Sequence, residues 1–366
     1  MNVGVLGGGQ LGRMLALAGY PLGMKFRFLE GKSPAPVDHL GAVVRASYDD
    51  MAALDAFADG LDVVTYEFEN VPVDSALHLA ERVPVHPAPS ALAMAQDRLK
   101  EKQDFQGLGV PTAPFVEVSS REGLEEAMAR LGLPAVLKTR RLGYDGKGQA
   151  LLRTPDQADG AWAELGSVPL ILEGFIDFTR ELSILAVRGV DGDCRFYPLV
   201  ENVHRGGILW TSVAPAPDVT PALQSEAEDY ARRVMEEHGY VGVVAIELFQ
   251  VGDHLVANEL APRVHNSGHW TQDGAVTSQF ENHLRAVCGL PLGDTAASGY
   301  AAMVNLLGDV PAHAEILGVP GAHLHLYGKS PRPGRKVGHV NLVEPTRDEL
   351  REALSLVEEA ARRAGS

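Results

Sequence analysis

The stretch AVLKTRRLGYDGKGQ, residues 135–149, decides the fold. Its first three residues are apolar and predict a buried strand, with Lys138 at the end of that strand. Such a lysine either extends its ammonium group to solvent or is held by a buried anion. The glycines at 143, 146 and 148 predict a flexible loop that closes over phosphate oxygens, although the sequence lacks the GxxxxGK[ST] pattern of a P-loop.

Two acids further along the chain lie inside apolar strands: Glu247 in VAIELF (residues 244–249) and Glu259 in LVANEL (residues 255–260). The turn at residues 251–253 predicts that these strands pair antiparallel, so the acids face one another. A buried carboxylate needs a cation, and hard oxygen ligands next to a phosphate site favour magnesium. The alternative is two structural acids, each with an Arg partner. Asn258 adds an oxygen nearby, although alternation in an ideal strand turns it to the opposite face.

A GxGxxG pattern at Gly7, Gly9 and Gly12 follows the first strand and opens a helix, and Glu30 ends the next strand. In a dinucleotide fold these positions hold a pyrophosphate and a ribose. The physics is more general, since bare amides at a helix N-terminus attract any phosphate. Three interpretations stay open: a dinucleotide, another phosphate ligand, or tight packing alone.

The remaining pattern predicts an α/β protein with three parts. Residues 1–97 alternate strand and helix, which predicts a doubly wound parallel sheet. Residues 98–296 form a second domain with a lid at about residues 114–174, and residues 297–366 a C-terminal subdomain. Within them we predict a helix over residues 90–108, a strand over 196–200, and a last helix over 347–363 with Thr346 as N-cap.

Composition limits the function classes. The 366 residues carry a net charge of −16, which opposes nucleic acid and anionic membranes, so any phosphate site must be built locally. The two cysteines, Cys194 and Cys288, have no CxxC partner and are read as small core residues. We expect no signal peptide, no membrane span and a cytoplasmic protein.

Four segments together carry a resemblance to a known family: GGQLGRM (residues 8–14), the glycine loop at 143–149, NELAPRVHNSGHWT (258–271) and RPGRKVGH (332–339). The chain resembles the 5-(carboxyamino)imidazole ribonucleotide synthases, ATP-grasp ligases of purine synthesis, from Met1 to about Val343. The resemblance implies an ATP-grasp fold, ATP, bicarbonate and 5-aminoimidazole ribonucleotide as substrates, Mg²⁺ as cofactor, and a homodimer. The reaction it implies passes through carboxyphosphate to ADP and phosphate.

The resemblance also assigns residues. The positions matching the ATP site are Arg98, Lys138, Gly143, Tyr144, Asp145, Gly146, Lys147, Gly148, Gln149, Glu173, Gly174, Phe175, Ile176, Glu181, His204, Asn258 and Glu259. The metal ligands are Glu247 and Glu259, and the catalytic residues are Arg263, His265 and Lys138. The positions expected to contact the ribonucleotide are Gly9, Gln10, Leu11, Glu69, Tyr144, Asp145, Arg263, His265, Lys329 and Arg335.

Several single residues also have a purely structural interpretation. Glu181 is otherwise a surface acid, His265 a core histidine, and Lys329 with Arg335 a solvated basic face. The competing functions are a formate-using glycinamide ribonucleotide transformylase, a biotin carboxylase, a nicotinamide-dependent oxidoreductase and a non-catalytic nucleotide sensor.

Overall fold

The N-terminal sheet is parallel and has four strands, in a computed structural model that describes residues 1–143 and 146–365. With strands and helices numbered separately in chain order, the strands are β1 (Asn2–Leu6), β2 (Lys25–Leu29), β3 (Ala42–Val44) and β4 (Val63–Tyr66). The spatial order is β3-β2-β1-β4. The helices are α1 (Gln10–Gly19), α2 (Met51–Ala58) and α3 (Val73–Ala80). All four residues of β4 are buried although it is the last strand in this order, as expected where both faces of a parallel sheet are covered.

The predicted helix over residues 90–108 is in fact two helices, α4 (Pro89–Ala95) and α5 (Arg98–Gly107). The side chain of Asp97 accepts a hydrogen bond from the N–H of Leu99 over 3.1 Å, and this N-cap starts a new helix. Gln96 donates to the carbonyls of Glu69 and Val71 over 2.8 and 2.6 Å. The break therefore ties the chain back to the N-terminal sheet and sets the position of Arg98.

A small antiparallel sheet follows, in the order β5-β8-β6-β7. Its strands are β5 (Phe115–Val118), β6 (Ala135–Thr139), β7 (Gln149–Leu152) and β8 (Leu170–Gly174), and its helices are α6 (Arg121–Leu131) and α7 (Ala158–Leu165). It has its own buried core, which includes Leu124, Leu137 and Leu172. The glycine loop is the connection of the β6–β7 hairpin, whose last pair is Lys138 with Gln149.

The third sheet has nine strands, in the order β14-β13-β9-β11-β12-β15-β17-β16, with β10 beside β9. The strands are β9 (Arg180–Arg188), β10 (Cys194–Phe196), β11 (Val200–Arg205), β12 (Ile208–Ala214), β13 (Gly242–Val251), β14 (His254–Ala261), β15 (Tyr300–Leu307), β16 (Ala322–Leu326) and β17 (Lys336–Glu344). The helices are α8 (Pro221–Glu237), α9 (Thr271–Gly274), α10 (Gln279–Val287), α11 (His313–Leu317) and α12 (Arg347–Gly365).

Two outcomes concern this third sheet. The strand predicted over residues 196–200 is wrong, because the chain leaves β10 at Phe196 and re-enters the sheet only at Val200. The sheet also runs without interruption across the predicted boundary at residue 297, since β12 pairs with β15. The third sheet therefore includes strands of both the predicted second domain and the predicted C-terminal subdomain. The limits of the three predicted domains remain predictions. Thr346 is the N-cap of α12, as predicted: its Oγ1 accepts the N–H of Glu349 over 3.3 Å.

Helix α10 joins the N-terminal sheet to the third sheet. Phe280 and Leu284 of α10 share one buried cluster with Leu15 of α1 and Phe28 of β2. Burial of such side chains stabilises by roughly 1.5–3 kcal/mol each. The edge of the parallel sheet is thereby fixed against the third sheet. Among the residues that the structure describes, no helix is both long enough and apolar enough to cross a membrane.

Candidate active site

Glu247 and Glu259 lie directly opposite one another on β13 and β14, as the strand pattern predicted. The register shifts between Glu247 and Leu248, which makes Asn258 an extra residue in β14. Asn258 and Glu259 are both half-buried, between the buried residues Ala257 and Leu260. The bulge turns both side chains to one face. The expectation that Asn258 faces away was wrong because an ideal strand has no inserted residue.

Arg98 sets the charge of this pair. Its Nη1 donates to Glu259 Oε2 over 2.8 Å, and its Nη2 donates to the carbonyl of Gly143 over 3.2 Å. Burial raises the pKa of Glu259, but Arg98, together with Lys138 and His265, lowers it by more, so the net shift is downward. Burial and then Glu259 raise the pKa of Glu247, whose Oε1 lies 3.6 Å from His265 Nε2. Glu259 is therefore held in its ionised form, whereas a cation bound beside Glu247 would favour the ionised form of that carboxylate.

A divalent cation fits these two acids on chemical grounds. Magnesium is usually held by one or two carboxylates, with phosphate oxygens and water completing the shell. Residues 1–143 and 146–365 contain no group of three or more His, Cys, Asp or Glu side chains able to hold a metal. The protein therefore offers a partial shell, which matches a cation that arrives with a phosphate ligand.

The buried Lys102 and the half-buried Lys138 share one carboxylate at the end of β8. Lys138 Nζ donates to Glu173 Oε2 over 2.9 Å, and Lys102 Nζ lies 3.2 Å from the same oxygen. Lys102 also donates to the carbonyl of Asn258 over 3.1 Å. Lys138 is thus held by a buried anion, and its alternative placement in solvent is excluded. Glu173 Oε1 is buried without a hydrogen-bond partner among the described residues, so a bound ligand can donate to it.

Sequence reasoning missed Lys102 and its neighbour Glu101, which are 1% and 3% exposed. Glu101 accepts a hydrogen bond from the N–H of Leu260 over 3.2 Å. Burial and then the charge of Glu259 raise the pKa of Glu101 to about 8. A signal was present, because residues three and four positions after Arg98 lie on the same helix face as Arg98.

The glycine loop lies over these groups. Thr139 N–H donates to the carbonyl of Gly148 over 2.8 Å, which closes the base of the loop. Gly146 approaches the turn between β11 and β12 so closely that an added Cβ would lie 2.9 Å from Gly207 Cα. Lys147 is exposed. Tyr144 and Asp145 lie outside the described residues, so their predicted contacts remain predictions.

The residues after β8 form the outer wall of the cleft. Gly174 N–H donates to the carbonyl of Pro114 over 2.8 Å, Phe175 is 44% exposed, and Ile176 is half-buried. Glu181 is hydrogen-bonded to His204 Nδ1, so it is not an unpaired surface acid. Burial lowers the pKa of His204, but Glu181 and Glu247 raise it by more.

Arg263 and His265 follow β14, and Arg263 reaches Glu69, just after β4 of the N-terminal sheet. Arg263 Nε donates to Glu69 Oε2 over 2.5 Å. Burial and then the charge of Arg263 lower the pKa of His265 to about 3, so its imidazole is neutral. Its Nδ1 lies 2.9 Å from Ser267 Oγ. His265 is half-buried at the site rather than enclosed in the core.

The first glycine loop is filled by the protein's own acids. Glu67 accepts the N–H groups of Gly9 and Gly12, the latter over 2.7 Å, and Glu30 accepts the N–H of Gly8 over 3.1 Å. These N–H groups are among those that a dinucleotide pyrophosphate would use, so the structure gives the dinucleotide interpretation no support. The side chain of Gln10 is hydrogen-bonded to Lys329 Nζ.

The predicted residues therefore form two connected groups. Arg98, Glu69 and Glu259 line one cavity of about 50 Å³, together with Gly143 and with Glu101, which was not predicted. Lys329 and the first glycine loop, residues 7–12, form the second group, at the C-terminal edge of the parallel sheet. Arg335 is half-buried and donates to the carbonyl of Ser330 over 3.2 Å. A larger surface cleft of about 530 Å³, beside Lys100 and His238, contains none of the predicted residues.

Comparison with protein families identifies the class. An ATP-grasp domain matches residues 103–280, a ribonucleotide synthetase preATP-grasp domain matches 1–96, and a phosphoribosylaminoimidazole carboxylase C-terminal domain matches 301–353. The chain is an ATP-grasp protein, which confirms the predicted fold class.

Individual relatives narrow this class. The chain is 55% identical to N5-carboxyaminoimidazole ribonucleotide synthase of Pseudomonas aeruginosa, over 98% of this chain and 99% of that protein. The crystal structure of the synthetase from Thermus thermophilus is 59% identical, with a TM-score of 0.94 and 98% of each chain covered. The Aspergillus clavatus synthase in complex with ADP and 5-aminoimidazole ribonucleotide is 30% identical, with a TM-score of 0.92, covering 99% of this chain and 98% of that chain. The chain belongs to the N5-carboxyaminoimidazole ribonucleotide synthase family of ATP-dependent ligases.

Proposed function

We propose that this chain attaches bicarbonate to the exocyclic amine of 5-aminoimidazole ribonucleotide at the expense of ATP. The products are 5-(carboxyamino)imidazole ribonucleotide, ADP and phosphate. The observation that carries the proposal is the convergence of Glu247, Glu259, Arg98 and Lys138 beneath the glycine loop. Family membership supports the choice of substrates, since a family member binds ADP and 5-aminoimidazole ribonucleotide.

ATP would lie between the small sheet and the third sheet. Glu173 Oε1, buried without a partner among the described residues, would accept a hydrogen bond from the nucleotide. Lys138 would exchange Glu173 for phosphate oxygens, while Lys102 remains with Glu173. Glu247 and Glu259 would hold Mg²⁺, which when bound neutralises charge on the transferred phosphoryl group.

The chemistry proceeds in two steps. An oxygen of bicarbonate attacks the γ-phosphorus, ADP leaves, and carboxyphosphate forms. The amine nitrogen then attacks the carbonyl carbon, either of carboxyphosphate or of carbon dioxide released from it. The carbon–oxygen bond to phosphate breaks, and the departing phosphate takes the amine proton. Closure of the glycine loop would exclude water, which otherwise hydrolyses the intermediate.

Arg263 and His265 would act on the bicarbonate side. Arg263 is a half-buried permanent cation beside Glu69, and it can stabilise the anionic intermediate. His265 has a pKa lowered to about 3, so it is a poor proton acceptor. We therefore assign His265 to orienting bicarbonate through its neutral imidazole.

The ribonucleotide would bind between the first glycine loop, residues 7–12, and the C-terminal subdomain. The N–H group of Gly9 is already hydrogen-bonded to Glu67. Of the predicted loop residues, Gln10 and Leu11 would therefore contact the substrate phosphate. Lys329 would supply the balancing charge, with the half-buried Arg335 as a second cation nearby. Glu69, Tyr144 and Asp145 remain predicted contacts of the ribonucleotide. The homodimer and the cytoplasmic location also remain expectations.

One assay tests the proposal. ADP release is measured with ATP, Mg²⁺ and bicarbonate, with and without 5-aminoimidazole ribonucleotide. The proposal expects sustained ADP release only when the ribonucleotide is present. Formate with glycinamide ribonucleotide replaces both substrates in a parallel reaction. Faster ADP release in that reaction would favour the transformylase alternative and reject the carboxylase.

A further inference from the structure

Glu67 is a fully buried acid that the reaction above does not use. It stands directly after β4, and its carboxylate accepts the N–H groups of Gly9 and Gly12 at the start of α1. It is 6% exposed. A helix N-terminus favours an anion because its first N–H groups lack partners. Here the anion belongs to the protein.

The first glycine loop, residues 7–12, is shaped around this carboxylate. A Cβ added at Gly7 would lie 2.4 Å from Glu67 Cγ, and one at Gly9 would lie 2.5 Å from Glu67 Oε1. Real Cβ atoms do not approach other atoms so closely, so side chains at these positions would displace Glu67. The glycine fingerprint therefore serves an internal acid in place of a bound dinucleotide.

Glu67 also bears on the substrate-phosphate site. Lys329, the cation proposed to bind the phosphate, has its Nζ on the side chain of Gln10, whose neighbours Gly9 and Gly12 are held by Glu67. Lys329 otherwise faces the cations Arg335, Lys336 and Lys32. Burial lowers the pKa of Lys329 to about 8, and Glu67 is the acid that opposes this shift.

We propose that Glu67 is a positioning residue for the ribonucleotide phosphate. It occupies the N–H groups of Gly9 and Gly12 and leaves those of Gln10 and Leu11, next to Lys329, for a single phosphate monoester. Burial raises the pKa of Glu67, while its two amide hydrogen bonds and Lys329 act in the opposite direction. The inference rests on the proposed function, because it assumes that the ribonucleotide phosphate binds beside Lys329.

The test is the kinetics of Glu67→Gln, which keeps the size of the side chain and removes its charge. The glutamine amide can accept only one of the two N–H groups, and Lys329 loses its opposing acid. We expect the KM for 5-aminoimidazole ribonucleotide to rise at least tenfold, with kcat and the KM for ATP within twofold of wild type. The rise of this KM at alkaline pH should begin at a lower pH than in wild type, which a merely structural defect would not cause.

Two further variants keep the test decisive. Glu67→Asp retains the charge, but its shorter side chain reaches the loop N–H groups less well. Its KM for the ribonucleotide should therefore be higher than in wild type, but the further increase of this KM at alkaline pH should begin at the wild-type pH. If the pH at which this KM begins to rise were lowered in Glu67→Asp as much as in Glu67→Gln, the proposal would be overturned. Glu30→Gln removes the other acid on the same loop, which contacts Gly8 and Lys32, and should leave the KM for the ribonucleotide within twofold.

Lys329→Ala separates this inference from the proposed function. An unchanged KM for the ribonucleotide in Lys329→Ala would mean that the phosphate binds elsewhere, and the proposed substrate site would fail. A raised KM in Lys329→Ala together with an unchanged KM in Glu67→Gln would reject the role of Glu67 alone.

Discussion

Replacement of Lys102 by methionine should weaken ATP binding although Lys102 is not expected to touch ATP. The change removes an ammonium group that contacts Glu173 Oε2 at 3.2 Å and the carbonyl of Asn258 at 3.1 Å. Among the described residues, the remaining cation in contact with Glu173 is then Lys138, at 2.9 Å. If Lys138 must leave Glu173 to reach the phosphates, Glu173 Oε2 would be left buried without a cation, even with the nucleotide bound to Oε1.

The size of the effect follows from these contacts. An unsatisfied buried acceptor costs about 1–3 kcal/mol, and more when it is charged. An added cost of about 2 kcal/mol on binding corresponds to roughly a 30-fold increase in KM for ATP. The lost contacts should also lower the melting temperature of the ligand-free protein by a few degrees, since about 1 kcal/mol shifts a domain of this size by about 2–4 °C.

The assay is steady-state ADP release at saturating bicarbonate and ribonucleotide, with thermal unfolding followed in parallel. Lys100→Met is the matched control, because Lys100 is exposed on the same helix and should change neither quantity. Lys102→Arg should recover part of the loss. A KM for ATP within threefold of wild type in Lys102→Met would refute the exchange of partners by Lys138.

Three further predictions concern the proposed ligands. Lys138→Ala should reduce ADP formation at least 1000-fold, about 4 kcal/mol in the transition state, as measured by coupled ADP release at saturating ATP; near-normal turnover would remove Lys138 from the phosphate site. Glu247→Gln should raise the Mg²⁺ concentration needed for half-maximal rate at least tenfold, because one of two carboxylate ligands is lost; an unchanged magnesium titration would contradict this ligand assignment. The pKa of Lys329 is lowered to about 8, so its charge disappears as pH rises through that value, and the KM for the ribonucleotide should increase above about pH 8. Lys329→Arg should delay that increase to higher pH, and identical pH profiles would exclude Lys329 as the titrating group.

The sequence predicted the paired acids because alternation along an apolar strand places every second residue on one face. It also predicted the strand at residues 135–138 and the glycine loop after it, since glycines after an apolar strand mark a loop, but it did not predict β7, which completes the hairpin. The bulge at Asn258 was not predictable in this way, because an inserted residue leaves no mark on the apolar pattern. The break between α4 and α5 was missed because Asp97 reads as an ordinary helix residue until its cap is seen.

The first glycine loop illustrates a different limit. A GxGxxG pattern states that something approaches the backbone closely, but it does not state what approaches. Glu67 lies far along the sequence from Gly9, and only the pairing of β1 with β4 brings them together. Lys102 and Glu101 were missed for a related reason: charged residues on a helix are usually solvated, and their burial depends on the partners Glu173 and Leu260 from distant strands.

Formation of carboxyphosphate is the central chemical claim, and one isotope experiment tests it directly. The reaction is run with ¹⁸O-labelled bicarbonate, and the released phosphate is analysed by mass spectrometry. Attack of bicarbonate on the γ-phosphorus predicts that each phosphate released carries one ¹⁸O atom from bicarbonate. Phosphate without label, released while the ribonucleotide is carboxylated, would contradict the mechanism.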